Sequence, residues 1–299
     1  MTAGGAPRRR GVHKTTTTST DGAASRQDPP NYFSIIFFTI GATLLLLSPS
    51  NLQAKPIDFS HKTINRKIVI ENPLPTLTVG ERLVFDVSWM GVPVGIGTLE
   101  VKEQVARNGR AAFHVIAIAE TNEFLSKIYP VHDEIHSFID AEDFYSLEFR
   151  KILKEGRYRA DERVVYDRQN QMGHYESFRS GDRKLIPIPP KVHDFLSAFF
   201  WFRLQPIQLG KKLHTIVNSE AQNWDLELDV LSIETKSFRH RGSMDTILVE
   251  PKTQLKGILY KRGRATVYFS CDKNRSPVWI ALTTPYGPIV GVLRSRSGR

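Results

Sequence analysis

From Gly80 onward, apolar and polar residues alternate in short runs. Leu83, Phe85, Val87 and Trp89 alternate with Val84, Asp86 and Ser88, a period of two that gives a strand one core-facing side and one mixed side. Gly91, Pro93, Gly95 and Gly97 predict turns or a bulge before Leu99 and Val101. Asn108-Gly109 between two strand-like runs predicts a hairpin, with Phe113–Ala119 as the returning strand. Trp224, Leu226, Leu228 and Val230 alternate with Asp225, Glu227 and Asp229, a half-buried strand with an acidic outer face. The chain closes in the same texture: Ala265, Val267 and Phe269, a polar turn at Asp272–Ser276, then Val278, Ile280 and Leu282, then Ile289–Leu293. About eleven strands follow one another without the helical crossovers that parallel neighbours need. The expected fold is therefore mainly β, a curved antiparallel sheet or open barrel.

Two segments break the alternation. Asn122–Ile128 predicts a single helical turn. Asp194–Leu204 predicts a helix, with Asp194 as its N-cap, Pro206 beyond its end and Pro187, Pro189 and Pro190 as a stiff approach. Phe195, Leu196, Phe199, Phe200, Trp201, Phe202 and Leu204 make this helix apolar nearly all round, so it must be covered on most sides, as it would be against the concave face of the sheet. Two roles stay open for it: plain core, or a movable plug over an apolar cavity. In the second, Phe195, Phe199, Phe200 and Trp201 would contact an apolar ligand.

The N-terminal part has a different texture. Residues 1–30 are polar and carry five basic side chains against two acidic ones. Tyr32–Leu47 is then an apolar run of sixteen residues, about 24 Å as a helix against a hydrocarbon core of about 30 Å. A basic leader, a short apolar stretch and small residues (Ser48, Ser50, Ala54) form the layout of a secretory signal, and the same segment left uncleaved would be an inner-membrane anchor. The organisation expected is a leader with export signal or anchor over 1–54, a linker over 55–77 with an edge strand near Lys67–Ile70, and an exported β domain over 78–297. The expected location is the periplasm.

This layout changes the meaning of the charge. The 299 residues carry a formal net charge of +10, which by itself invites a nucleic-acid partner. Export removes the domain from nucleic acid, and its natural counter-charge becomes an anionic lipid or glycan of the envelope. Arg150, Lys151, Lys154, Arg157, Arg159 and Arg163 lie on a hairpin turning near Glu155-Gly156, with Arg157 and Arg159 as candidate contacts to anionic groups. The alternative is a solvated outer face softened by Glu148, Asp161 and Glu162.

Motifs of catalysis are sparse. One cysteine, Cys271, excludes an internal disulfide and reads as buried and inert. No Gly-x-Ser-x-Gly elbow and no phosphate-cradling glycine loop occurs. His132, Glu134 and His136 share one face if their segment is a strand, but same-face neighbours stand about 6.5–7 Å apart, so a shared metal would need a bulge or another strand. No enzyme activity and no cofactor are expected.

Four stretches resemble the bacterial family known as domain of unknown function 3108: Gly80–Leu83 with Trp89–Gly95; Phe124–Asp133; Asp194–Arg203; and Asp272–Val278 with Arg275 and Pro277. Cys271 stands where an acidic residue would be expected by analogy. The resemblance implies an exported, β-rich envelope domain without an established activity, broadly similar in fold to the periplasmic lipoprotein carriers. The leading expectation is a non-enzymatic protein that binds a lipid-like or anionic envelope component. A membrane-anchored scaffold for protein partners, and a hydrolase or metal enzyme around His132 and His136, are the alternatives.

Overall fold

The computed structural model describes residues 69–219, 221–238, 242–255, 258–259, 264–284 and 287–298. The leader, its apolar run and the linker up to residue 68 lie outside the described residues. Within them, no helix is long and apolar enough to cross a membrane.

The elements are β1 (Arg82–Trp89), β2 (Val92–Arg107), β3 (Arg110–Thr121), α1 (Glu123–Ser126), β4 (His132–Asp140), β5 (Ser146–Glu155), β6 (Tyr158–Asp167), β7 (Met172–Ser177), β8 (Arg183–Pro187), α2 (Phe195–Arg203), β9 (Lys212–Ser219), β10 (Gln222–Phe238), β11 (Gly242–Leu255), β12 (Ile258–Leu259), β13 (Arg264–Ser270), β14 (Pro277–Thr284) and β15 (Gly287–Ser297). They form one antiparallel sheet in the order β8-β7-β6-β5-β4-β3-β2-β1-β15-β14-β13-β11-β10-β9, with β12 paired to β11. The expected mainly-β, antiparallel architecture is the observed one. The sheet is open: β8 and β9 are its edges and do not pair with each other. The proline-rich stretch after β8 bridges the gap, since His193 N–H donates to the Ile216 carbonyl at 2.9 Å and Asn218 N–H to the His193 carbonyl at 2.7 Å.

Several local expectations are met. Asn108 and Gly109 turn the β2–β3 hairpin with φ of 50° and 75°. Asn122 caps α1, accepting from Leu125 N–H at 2.8 Å. The turn and bulge expected before Leu99 are also there: Met90 and Gly91 turn between β1 and β2, and the register with β1 slips at Val94, between Pro93 and Gly95. Gly95 also allows close approach: a Cβ there would stand 2.0 Å from the Glu120 carbonyl oxygen of β3. Other expectations are corrected. The described end of the proposed edge strand, Val69–Ile70, is not a strand; this stretch straps the β13–β14 turn, with Glu71 N–H donating to the Cys271 carbonyl at 2.9 Å. The strand count also rises, because residues 146–187 fold into four strands, β5–β8, of which only the hairpin near Glu155-Gly156 was expected; inward charges such as Lys151 and Glu162 break the period of two.

The main core joins Leu83, Phe85 and Val87 of β1 to Phe113, Val115 and Ala117 of β3, to Val278, Ile289 and Leu293, and to Leu196 and Phe200 of α2. A second cluster packs Phe202 against Val230, Ile247, Val267 and Phe269. The nine residues of α2, about 13 Å long, lie across one end of the curled sheet, the end made by the β4–β5 turn, the start of β1 and the β13–β14 turn.

Candidate functional site

Buried polar groups hold α2 at both ends. At its start, the Asp194 carboxylate accepts from Leu196 N–H and Ser197 N–H at 2.8 Å each, and from the Ser137 and Ser146 hydroxyls at 2.6 and 2.7 Å. Burial raises the Asp194 carboxyl pKa against the pull of those donors. His193 Nδ1 lies 3.0 Å from Ser197 Oγ. These side chains have the types of a hydrolase triad, yet Asp194 engages the serines rather than the histidine, and all five are sealed from solvent. Burial drives His193 down to about 3, so its ring is neutral. The arrangement caps a helix and carries no exposed nucleophile.

At the other end, Arg203 Nη2 donates to Glu81 Oε1 at 2.8 Å and to the Asn274 carbonyl at 3.0 Å, and Arg203 Nε to the Arg275 carbonyl at 3.2 Å. Arg296 Nε reaches the same Glu81 oxygen at 3.0 Å. Burial raises the Glu81 pKa, but the two guanidinium groups outweigh it and hold the carboxyl below its ordinary range. Asp272 builds the turn that presents Arg275, accepting from Asn274 N–H and Arg275 N–H at 3.0 and 3.1 Å. Arg275 then points inward and donates to the Gln205 and Glu71 carbonyls at 2.6 and 3.0 Å. Glu81, Arg203 and Arg275 come from three of the four stretches that carried the family resemblance, and they meet at one place. Beside them Cys271 is buried, as expected, and burial pushes its thiol up to about 12, which disfavours the thiolate.

The opposite end of the sheet is different. Met90, Val92, Phe124 and Ile128 are 53%, 62%, 75% and 63% exposed there. Asn122 ties α1 to the start of β2 through the Pro93 and Val94 carbonyls, at 2.9 Å each, so these four side chains belong to neighbouring connections. Next comes the β5–β6 turn with Arg157 and Arg159, held against the α1–β4 connection by Gly156 N–H donating to the Pro130 carbonyl at 2.7 Å. Inside, Phe85, Val87, Gly97, Ile280, Leu282, Ile289 and Gly291 line a narrow apolar groove with a void of about 30 Å³.

A buried acid pair lies under the α1–β4 connection. Asp133 and Glu155 are both buried, hydrogen-bonded to each other, and Asp133 accepts Lys154 N–H at 2.9 Å. Burial raises both carboxyls, and the Asp133 charge raises Glu155 further. Because the folded-state values lie above the unfolded ones, the pair's contribution to stability is full below the ordinary carboxylate range and is lost as pH rises toward about 9. Glu155→Gln keeps a donor for Asp133 and removes that titration. Urea unfolding from pH 5 to 9 is expected to show the parent chain losing a few kcal/mol more than the variant. Parallel profiles would refute the shared-proton pair.

The candidate ligand contacts separate. Phe200 is fully buried, Phe195 meets Phe149 edge-on at 5.5 Å between ring centres, Phe199 meets Phe269 at 5.6 Å, and Trp201 meets His193 at 5.4 Å. All four pack, and both helix ends are held by buried polar groups. Arg157 and Arg159 lie at the far end of β5, roughly 30 Å from Ser146 by strand rise, so they share no site with the helix. The rest of the basic stretch is largely neutralised: Arg150 binds Asp161 at 3.0 and 2.9 Å, Arg163 binds Glu176 at 2.9 Å, and Lys151 faces inward to Glu162 at 3.1 Å.

His132, Glu134 and His136 do share the outer face of β4. The partner brought to His136 is not His132 but His114 of β3, Nε2 to Nδ1 at 3.0 Å. His132 sits between Glu120 and Glu134, at 2.8 and 3.0 Å. Among the described residues, no three His, Cys, Asp or Glu side chains converge as a metal centre. His114 escaped the sequence reading because it stands inside the apolar run Phe113–Ala119; its polar character at an outward position was the available signal.

No curated protein matches the sequence. The solved structures similar to this chain include three described as follows. One is a β-barrel-like protein of domain of unknown function DUF1849 from Brucella abortus, 9% identical, covering 74% of this chain and 98% of its own, with a TM-score of 0.48. A protein from Bacteroides fragilis described as exported, with a YmcC-like fold, is 12% identical over 77% of this chain and all of its own, with a TM-score of 0.29. A protein from Parabacteroides distasonis described as a lipoprotein is 9% identical over 78% of this chain and all of its own, with a TM-score of 0.32. The profile of the family "Protein of unknown function (DUF3108)" matches residues 84–294, from the first strand to the last, and the chain belongs to that family.

Proposed function

We propose that this chain is a non-enzymatic protein of the bacterial envelope that binds a lipid-like, anionic component at the end of its sheet opposite α2. One observation carries the reading: four large apolar side chains, Met90, Val92, Phe124 and Ile128, stand more than half exposed on neighbouring connections. A cluster of this kind costs free energy in water and signals an apolar partner. The exposed Arg157 on the adjoining turn supplies the matching charge for a phosphate or acidic sugar, and the apolar groove lined by Phe85 and Ile289 offers a narrow entry for the end of a chain. The rim would lie in the apolar layer with the basic turn at the headgroups.

The test uses delipidated full-length protein and vesicles of phosphatidylcholine with or without phosphatidylglycerol. Co-flotation with the anionic vesicles is expected, falling at least fivefold in Phe124→Ser/Ile128→Ser and less in Arg157→Ala. Equal flotation of the parent chain and the double variant, or none at all, would overturn the reading.

A further inference from the structure

The inner face of β5–β7 carries a polar cleft that neither the exposed rim nor the anchoring of α2 accounts for. The register sets Lys151 opposite Glu162, and Phe149 and Tyr175 on either side of Val164, so these side chains share the inward side with Tyr166. The β9–β10 turn reaches across from the other half of the sheet and walls the cleft with Asn218. Asn223 ties that turn to the end of β8, its Nδ2 donating to the Pro187 carbonyl at 2.7 Å. The walls surround a void of about 30 Å³, within a cleft of about 390 Å³ counted to its solvent mouth, the low end of small-ligand sites.

One group in these walls lacks a partner. Tyr166 is 2% exposed, and its hydroxyl makes no hydrogen bond among the described residues. A buried hydroxyl left alone costs about 1–3 kcal/mol. Burial, with the Asp194 charge behind it, raises the Tyr166 phenol, so it keeps its proton and stays a donor. Lys151 Nζ lies 3.1 Å from Glu162 Oε2, and this pair offers the cleft both ammonium donors and carboxylate lone pairs. Asn218 gives its Nδ2 to the Gln222 carbonyl at 3.2 Å and to Asn223 Oδ1 at 2.8 Å, which leaves its own Oδ1 to accept. Charge then selects the class of ligand. An anion entering the cleft meets Glu162 and a cation meets Lys151, whereas a neutral group that both donates and accepts suits the balanced pair. The Phe149 and Tyr175 rings beside the polar wall call for an apolar surface on the same ligand. A pyranose combines the two, with C–H faces and a rim of hydroxyls.

We propose that the cleft between β5–β7 and the β9–β10 turn binds one neutral sugar unit, its hydroxyls on Lys151, Glu162, Asn218 and the Tyr166 hydroxyl and its C–H face on the aromatic wall. The sugar supplies the acceptor that Tyr166 lacks. The site stands apart from the exposed rim and does not rest on the binding of lipid there.

The experiment titrates full-length protein with methyl β-glucoside, a neutral pyranoside, and reads saturation transfer from protein to the sugar ring protons by NMR. The expected result is transfer that saturates in the millimolar range and that neither sodium acetate nor inorganic phosphate displaces. Lys151→Met weakens binding at least tenfold, and Tyr166→Phe at least threefold. Because Tyr166→Phe also removes the orphaned hydroxyl, the sugar-free variant melts no lower than the parent chain, which separates a ligand contact from a structural one. Phe124→Ser/Ile128→Ser leaves sugar binding unchanged. Far-UV circular dichroism confirms that each variant is folded, and Tyr166→Phe, which keeps the ring, decides the matter if Lys151→Met is not. Absence of transfer, displacement by acetate or phosphate, or undiminished binding in Tyr166→Phe would overturn the assignment.

Discussion

Arg203→Met should destabilise the folded chain by about 2–4 kcal/mol, somewhat less than the cost of about 3–5 kcal/mol for a buried carboxylate left without a partner. Arg203 and Glu81 are each about 5% exposed, so water cannot replace the lost guanidinium. Methionine refills much of the volume over Phe200, which isolates the electrostatic loss from a cavity. Arg296 remains on Glu81 at 3.0 Å and keeps the loss below that of a wholly unpaired charge. Urea unfolding followed by circular dichroism measures the effect directly. Glu81→Gln/Arg203→Met should recover a substantial part of it, because the stranded charge is then gone. A single-variant loss under 1 kcal/mol, or no recovery in the double, would mean that this end of α2 is not held electrostatically.

Asp194→Ala should cost roughly 2–4 kcal/mol. Loss of an N-cap alone is worth about 1 kcal/mol, up to about 2. Here the same carboxylate also serves the hydroxyls of Ser137 and Ser146, both sealed from solvent, and buried donors without acceptors add about 1–3 kcal/mol. Relief of the buried charge, whose pKa burial has raised, offsets part of this. Asp194→Asn retains an acceptor for Leu196 and Ser197 and should cost about half as much. For a domain of this size the Ala variant should melt roughly 5–15 °C lower. Equal melting of parent and Ala variant would show that the helix docks without its cap.

The same two anchors show what the sequence disclosed and what it withheld. Asp194 as a cap, Pro206 beyond the helix end and the Asn108-Gly109 hairpin are local signals, set by backbone donors within a few residues, and all are found. The period of two revealed β1 and β10 for the same reason. What Asp194 does beyond its own turn was not legible, since Ser137 and Ser146 lie 57 and 48 residues away. Arg203 and Arg275 stood out only as members of the family stretches; that they are core was not legible, because burial of a charge depends on partners brought by the fold. The pairing of His136 likewise required the β3–β4 register, which no spacing within 132–136 contains. The candidate ligand residues were chosen for aromatic and basic character alone, and the structure packs the aromatics while leaving the arginines at the other end. The exposed rim was also missed: Phe124 and Ile128 lie in a short segment whose apolar residues look like core until α1 is found to bury none of its own.

The middle of the sheet is made from its first and last strands. β1 pairs with β15 from Arg82↔Ser297 to Trp89↔Ile289. A chain emerging from its N-terminus can lay down β1–β8 as successive hairpins, but no strand pairing joins that half to β9–β14 until residues 287–297 arrive. Bringing two segments some 215 residues apart into register costs roughly 5 kcal/mol of loop entropy before any contact compensates it. The rate of folding should therefore be set by this final closure, in the slow range of β proteins dominated by distant pairings. Until then β1 and β14 each present a bare edge, the kind of surface that captures a second chain. Until the last strand closes them, two half-sheets stand open to capture by other chains.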